Sequence, residues 1–307
     1  MDGCDTFAAA RALHPGYKRN QNRGTKMPYA DVNGARLSYE SLGEGAPLLF
    51  IHGGYGGAGS TLVPQPQAIR NVAPRDKVRT IVYDRRNAGQ SSYGLEHLSM
   101  ATLAADALGL LDHLKIQRAI IVGSSAGGPI ALQLALSAPE RVIALALPNT
   151  GANLASMERA QGKIRADLVM KSYALGDRAV FEQRKAELRV PPPNDSKDPA
   201  ELARQDKLKA ALQALSEEDL FRYAVGEIRN FEAYLNIDFT SRLAELKMPV
   251  HIVHGTADRV VPYAWGEALH RGIKHSELVP IEGADHGIIA YEAAAKVLRE
   301  WVLRVIG

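Results

Sequence analysis

Short, almost wholly apolar runs recur along the chain, and each stops abruptly at a polar or turn-forming residue. Leu48-Leu49-Phe50-Ile51 stops at His52-Gly53-Gly54, Thr80-Ile81-Val82-Tyr83 at Asp84, and Ala119-Ile120-Ile121-Val122 at Gly123. Val142 to Leu147 stops at Pro148, and the run from Val250 to His254 stops at Gly255. A strand apolar at every position has both faces covered, as strands of a parallel sheet do. Upstream, segments around Asn33-Gly34 alternate in character, which predicts a hairpin of Tyr29–Val32 with Ala35–Leu42.

Between these runs the apolar period lengthens to that of a helix. Leu103, Ala107, Leu110, Leu111 and Leu114 share one face, with Ser99 placed to cap the start. Pro129 falls in the first turn of the next helical stretch, where its missing N–H costs little. Strands alternating with helices predict an α/β fold, a mostly parallel central sheet flanked by helices. The alternation breaks between Gly151 and Lys247, where only helical patterns occur. Ile164, Leu168 and Leu175 are expected on one apolar face, Leu208, Leu212 and Leu215 on another, and Ser216 begins a capping signal. Pro191 to Pro199 cannot be helical and is expected to divide this block. After Met248-Pro249 the strand–helix rhythm returns. The chain therefore divides into a core domain of residues 27–150 and 248–307 and a helical insertion of residues 151–247. Such an insertion is expected to cover the carboxyl ends of the strands, where open α/β sheets bind ligands.

Composition narrows the functional classes. With 307 residues, 46% of them apolar, and a net charge of +3, the chain lacks the basic footprint of a nucleic-acid binder. Cys4 is the only cysteine, so neither an intrachain disulfide nor a cysteine metal site is expected. Residues 1–26 lack the apolar core of a signal peptide and read as a flexible extension. No run is long enough to insert in a membrane, and a cytoplasmic location is expected.

The candidate chemistry lies where the apolar runs end. Gly123-Ser124-Ser125-Ala126-Gly127 fits G-x-S-x-G, and the register selects Ser125, because Ser124 would need glycine where Val122 stands. A sharp strand-to-helix turn holds such a serine in a strained conformation and leaves room only for glycine two positions either side. The hydroxyl needs a base. His251 and His254 lie in a strand pattern, and His113 and His270 in helical ones. His286 sits on a loop, Gly283-Ala-Asp-His-Gly287, after the strand-like Glu277–Ile281, and is the expected base. Asp258, on the loop after His254, is the expected carboxylate that orients it; Asp285 is too close in sequence, and Asn149 cannot carry the charge. Backbone donors for an oxyanion are expected at Ala126 and at Gly54, with Tyr55 as the alternative. His52 reads as a loop brace. Tyr55 and Ile288 are expected to line an apolar substrate pocket. Neither a metal nor an organic cofactor is called for.

Serine, aspartate and histidine in this order, each after its strand, resemble the α/β-hydrolase fold superfamily over residues 27–307. Asp84-Arg-Arg-Asn-Ala-Gly-Gln-Ser91 is similar to that superfamily's D-x-R-G-x-G-x-S loop, with Asn87 where glycine is usual. The resemblance implies that residues 151–247 form a cap over the site. A serine nucleophile argues against the haloalkane dehalogenase and epoxide hydrolase branches, whose nucleophile is aspartate. What the resemblance implies is a carboxylesterase-like hydrolase acting on small esters, or on lactones, through an acyl-enzyme. The same triad leaves carbon–carbon bond hydrolase, aminopeptidase-type and perhydrolase activities as alternatives, and a small-molecule receptor as a rival of another class.

Overall fold

The computed structural model describes residues 28–54, 69, 72–153, 160–190, 202, 206, 209–210, 212–235, 237–288 and 291–307. Eight strands form one sheet: β1 (Tyr29–Val32), β2 (Ala35–Leu42), β3 (Ala46–Ile51), β4 (Val78–Tyr83), β5 (Ala119–Gly123), β6 (Val142–Pro148), β7 (Val250–Gly255) and β8 (Ser276–Ile281). Their order is β1-β2-β4-β3-β5-β6-β7-β8. The predicted hairpin is present, with Asn33 and Gly34 both at positive φ as its tight turn needs. β2 joins β4 antiparallel, and every later pairing is parallel. β3 lies between β4 and β5, so the chain leaves it outward to β4 and then crosses back to β5. The loops following β3 and β5 therefore part at a switch in strand order, where such sheets form a crevice.

Seven helices are used below: α1 (Met100–His113), α2 (Gly127–Ser137), α3 (Ala160–Leu175), α4 (Asp177–Leu188), α5 (Glu217–Glu232), α6 (Tyr263–Gly272) and α7 (Glu292–Ile306). Successive strand residues face opposite sides, and both sides are covered. Leu49, Ile51, Ile121, Leu145 and Leu147 belong to one buried cluster with Leu103 and Leu110 of α1 and Ile130 and Leu134 of α2. Their neighbours Leu48, Phe50, Ile120, Val122 and Ala146 belong to the opposite cluster with Leu298, Trp301 and Val302 of α7. This two-sided burial is why the strands read as unbroken apolar runs. The cap expected at Ser99 is formed, its hydroxyl accepting the Thr102 N–H at 3.1 Å. No described helix is long and apolar enough to cross a membrane.

The helices α3, α4 and α5 pack around two small cores apart from those of the sheet. Phe181, Leu212, Leu220 and Phe221 form one, and Ala166, Val169, Val180, Ile228 and Phe231 another. The face expected on α3 is rotated: Ile164 and Leu175 are exposed, and Ala166 and Val169 turn inward instead. Three leucine-type residues at near-helical spacing were a weaker guide than the side on which α5 packs. Leu212 is buried as expected, and Ser216 caps α5 through the Asp219 N–H at 3.0 Å. Leu208 and the segment Pro191–Pro199 lie outside the described residues, as does the extension 1–26. The Asp84–Ser91 loop is largely buried and held by polar contacts. Arg86 holds Asp106 through two contacts of 2.8 Å, and Asn87 adopts a left-handed φ of 59°, which asparagine tolerates better than most residues. Asn230 of α5 donates to the carbonyls of Arg86 and Asn87 at 3.1 and 3.0 Å, docking the helical insertion on this loop.

His251 on β7 is a buried histidine that stacks on Trp301, ring centroids 5.0 Å apart. Neither ring nitrogen has a hydrogen-bond partner among the described residues. Burial, only partly offset by the Glu277 carboxylate, pushes its pKa down to about 4. The folded chain thus keeps it neutral while the unfolded chain takes up a proton below about pH 6.5. Stability is full above that pH and falls as pH drops toward 4, by up to roughly 3 kcal/mol from this residue. In His251→Phe, melting temperature followed from pH 7 to 4 should decline less steeply than in the parent chain. Parallel curves would show that this histidine does not set the slope.

Candidate active site

The loop after β5 makes the turn that its glycines predict. Ser125 sits at a φ of 51°, a left-handed conformation rarely adopted by a side-chain-bearing residue. A Cβ at position 127 would stand 2.1 Å from the Ile51 carbonyl oxygen, and one at position 123 would stand 2.5 Å from the Ala131 Cβ. Only glycine fits at either place, so α2 begins hard against the ends of β3 and β5. Ser125 is thereby lifted off the carboxyl edge of the sheet, at the head of α2. Gly53 comes equally close from the neighbouring loop, since a Cβ there would meet the Ser125 Cβ at 2.9 Å.

His286, on the loop after β8, reaches this serine across the sheet edge. Its Nε2 lies 2.9 Å from Ser125 Oγ, and its Nδ1 lies 2.9 Å from Asp258 Oδ2. Asp258 is on the loop after β7 and is fully buried at its carboxylate. Its Oδ1 accepts the Val260 and Val261 N–H groups, each at 2.8 Å. Burial by itself would raise the Asp258 pKa. Hydrogen bonds from His254, His286 and the Val261 N–H outweigh it and hold the carboxyl well below the usual range. The acid is therefore ionised, and it draws the imidazole proton onto Nδ1, which leaves the Nε2 lone pair facing the serine hydroxyl. The three residues named from sequence thus meet in one hydrogen-bonded line. Asp285, set aside as too close in sequence, instead closes its own turn by accepting the Gly287 N–H at 2.9 Å.

Two backbone N–H groups beside Ser125 have no backbone partner among the described residues. Those of Ser124, Ser125, Gly127 and Gly128 are bonded to backbone carbonyls. Among the described residues, the N–H groups of Ala126 and Gly54 have no such partner. His52 braces this loop, as expected: its Nδ1 contacts the Gly53 carbonyl at 2.7 Å and its Nε2 accepts the Arg85 N–H at 3.2 Å. Burial and then the Arg85 charge push its pKa down to about 3, so the ring stays neutral. Tyr55 lies outside the described residues. Ile288, expected to line a pocket, is 1% exposed and packs with Val253, Ala294 and Leu298 in the core layer against α7. Two residues beyond His286 the loop has already turned this side chain inward.

Sequence reasoning missed the residues that hold the triad loops together. Asn149, considered only as a stand-in for the aspartate, is fully buried at the end of β6. Its Nδ2 donates to the His286 carbonyl at 2.7 Å and to that of Asp285 at 3.3 Å, while its Oδ1 accepts the Gly255 N–H at 3.2 Å. One amide thus ties the histidine loop to the end of β7. His254, read as a strand residue, lies with Nε2 2.9 Å from the Val261 carbonyl and 3.5 Å from Asp258 Oδ2. A polar residue at or just past the end of a buried strand was the available signal for both.

The family profile described as alpha/beta hydrolase fold matches residues 46–293. The chain belongs to the α/β-hydrolase fold family. Among its curated relatives is a protein of Azorhizobium caulinodans named "Putative carbamate hydrolase RutD", 29% identical over 264 residues, which are 86% of this chain and 93% of the relative. Among solved structures, the enol-lactonase of Burkholderia xenovorans LB400 superposes with a TM-score of 0.62 at 27% identity, covering 91% of this chain and 99% of that one. Est816, an N-acyl homoserine lactone degrading enzyme, gives 0.61 at 25% identity over 90% of this chain and 99% of its own. The names differ in the compound they point to: a carbamate in the first, a lactone in the other two.

Proposed function

We propose that this α/β-hydrolase cleaves carboxylic esters, and lactones as their cyclic counterparts, through an acyl-enzyme on Ser125. The observation that carries this reading is the continuous line from Asp258 Oδ2 through both ring nitrogens of His286 to Ser125 Oγ, each contact 2.9 Å. Ser125 Oγ attacks the carbonyl carbon as His286 Nε2 takes its proton. The carbonyl oxygen becomes an oxyanion facing the Gly54 and Ala126 N–H groups, and Asp258 steadies the imidazolium. The tetrahedral adduct collapses, the C–O bond to the alcohol breaks, and His286 gives the alcohol its proton. Water, deprotonated by the same nitrogen, then releases the acid and restores the serine. For a lactone the departing hydroxyl belongs to the same molecule as the acid. Every proton is handled by the named side chains.

Residues 151–247 act in this reading as the cap that selects the substrate. Supporting it, α5 docks on the Asp84–Ser91 loop, and Tyr234 just beyond it reaches the Ala126 carbonyl at 2.5 Å. The lactones named for two structural relatives favour including cyclic esters, and the carbamate name of the curated relative adds a third acyl class to be tried. The test is turnover by the full chain on 4-nitrophenyl esters of graded acyl length, on lactones and on an aryl carbamate. A fluorophosphonate label followed by peptide mass analysis accompanies it. Multiple turnover on esters or lactones, with the label on the Ser125 peptide, is expected. No turnover on any of them and no label on Ser125 would overturn the reading.

A further inference from the structure

Arg85 is the largest fully buried side chain among the described residues, 1% exposed, and the triad makes no use of it. Its neighbour Arg86 has Asp106 as counter-ion. The Arg85 guanidinium has none among the described residues: its partners are the carbonyls of Gly53, at 3.4 Å, and Gly54, both on Nη2, and the Tyr234 hydroxyl, at 2.9 Å on Nη1. Its Nε is buried without a partner. An uncompensated cation is costly to desolvate, so its persistence against two peptide carbonyls calls for an explanation.

The location of those carbonyls supplies one. The Gly53 carbonyl and the Gly54 N–H are opposite ends of a single peptide group. A positive charge on the oxygen end draws electron density toward itself and makes the N–H end a stronger donor. The His52 Nδ1–H adds to the same pull at 2.7 Å. The other N–H of the pair, that of Ala126, shares its peptide group with the Ser125 carbonyl. That carbonyl accepts the Thr150 hydroxyl at 2.7 Å and the Gly128 N–H at 2.9 Å. Tyr234 closes the circuit, accepting from Arg85 and donating to the Ala126 carbonyl at 2.5 Å. The planar guanidinium fork holds the turn at Gly53-Gly54 and the head of α2 in fixed relation, as a lysine's single point charge could not.

We infer that Arg85 is a positioning residue of the hydrolytic reaction: it orients and polarises the Gly53–Gly54 peptide toward the developing oxyanion, with Tyr234 linking that peptide to Ala126. The inference rests on the proposed hydrolase reading. Because the charge acts only as negative charge grows on the substrate oxygen, its loss falls on the transition state and not on ground-state binding.

The test compares the full parent chain with Arg85→Met, Arg85→Lys and Tyr234→Phe, each checked for its melting transition. kcat and KM are measured on a 4-nitrophenyl ester, and the inhibition constant on a trifluoromethyl ketone, whose serine adduct carries an oxyanion. Arg85→Met should lose kcat by roughly tenfold to a hundredfold with KM little changed, since a single oxyanion donor contributes about a hundredfold to a thousandfold. The ketone should weaken in step, Arg85→Lys should recover part of the loss, and Tyr234→Phe should show a smaller loss of the same kind. If Arg85→Met does not fold, the other two variants decide. Variants that keep kcat and ketone affinity within about threefold of the parent, or that lose only KM, would overturn the role of Arg85 while leaving the hydrolase reading intact. A parent chain that neither turns over esters nor binds the ketone would end both.

Discussion

Replacing Ser125 by alanine is expected to lower turnover of an activated ester by about ten-thousandfold or more, with the fold intact. In the proposed reaction the hydroxyl forms the acyl bond, and its Oγ meets His286 Nε2 at 2.9 Å. Alanine keeps the Cβ that already stands at the strained φ of 51°, so the turn itself changes little. Gly53 approaches that Cβ and not the oxygen alone, so its packing also survives. The residual rate should come from backbone donors and binding, which remain in place. The measurement is kcat on a 4-nitrophenyl ester beside a thermal melt. A variant that retains a tenth or more of the parent's kcat would remove Ser125 from the chemistry.

Asp258→Asn is the second large effect, a fall in kcat on the order of a thousandfold to ten-thousandfold. The substitution preserves shape, and its consequence follows from which oxygen is held by what. Asp258 Oδ1 accepts two backbone N–H groups, from Val260 and Val261. An asparagine must put its carbonyl oxygen there, because its NH2 would face two donors. The NH2 therefore turns to the Oδ2 position, 2.9 Å from His286 Nδ1. Facing a donor, Nδ1 must accept, and the ring proton moves to Nε2, where it meets Ser125 with a hydrogen instead of a lone pair. The base is then in the wrong tautomer, although every heavy atom stays where it was. Kinetics at neutral pH give the magnitude, and imidazole nitrogen chemical shifts by NMR give the tautomer. Activity within tenfold of the parent would show that another carboxylate orients His286.

The triad could be read from the chain because each of its members obeys a local grammar. A nucleophile on a strand-to-helix turn needs small residues at fixed offsets, and Gly123 and Gly127 are required by contacts of their own Cβ positions. A base and its carboxylate need only stand on the loops after two later strands. Asn149, Arg85 and Tyr234 obey no such grammar. Tyr234 is 108 residues from the Ala126 carbonyl it binds, and Asn149 is 137 residues from that of His286. Their neighbours in sequence carry no trace of these partners. Ile288, two residues from His286, has its side chain buried on the α7 side of the sheet, a placement that its distance in sequence did not reveal.

By itself the sequence determined the strand and helix alternation, the strained serine turn and the three side chains that the fold brings into line. All of these depend on side-chain period, glycine clearance and intrinsic chemistry within a few residues. Only the tertiary structure decided that β3 lies beside β5, which brings Gly53 against Ser125, and that a buried guanidinium backs the donor loop. Strand order is set by packing two helix layers over the whole sheet, a sum of contacts between distant segments that no short window of the chain contains.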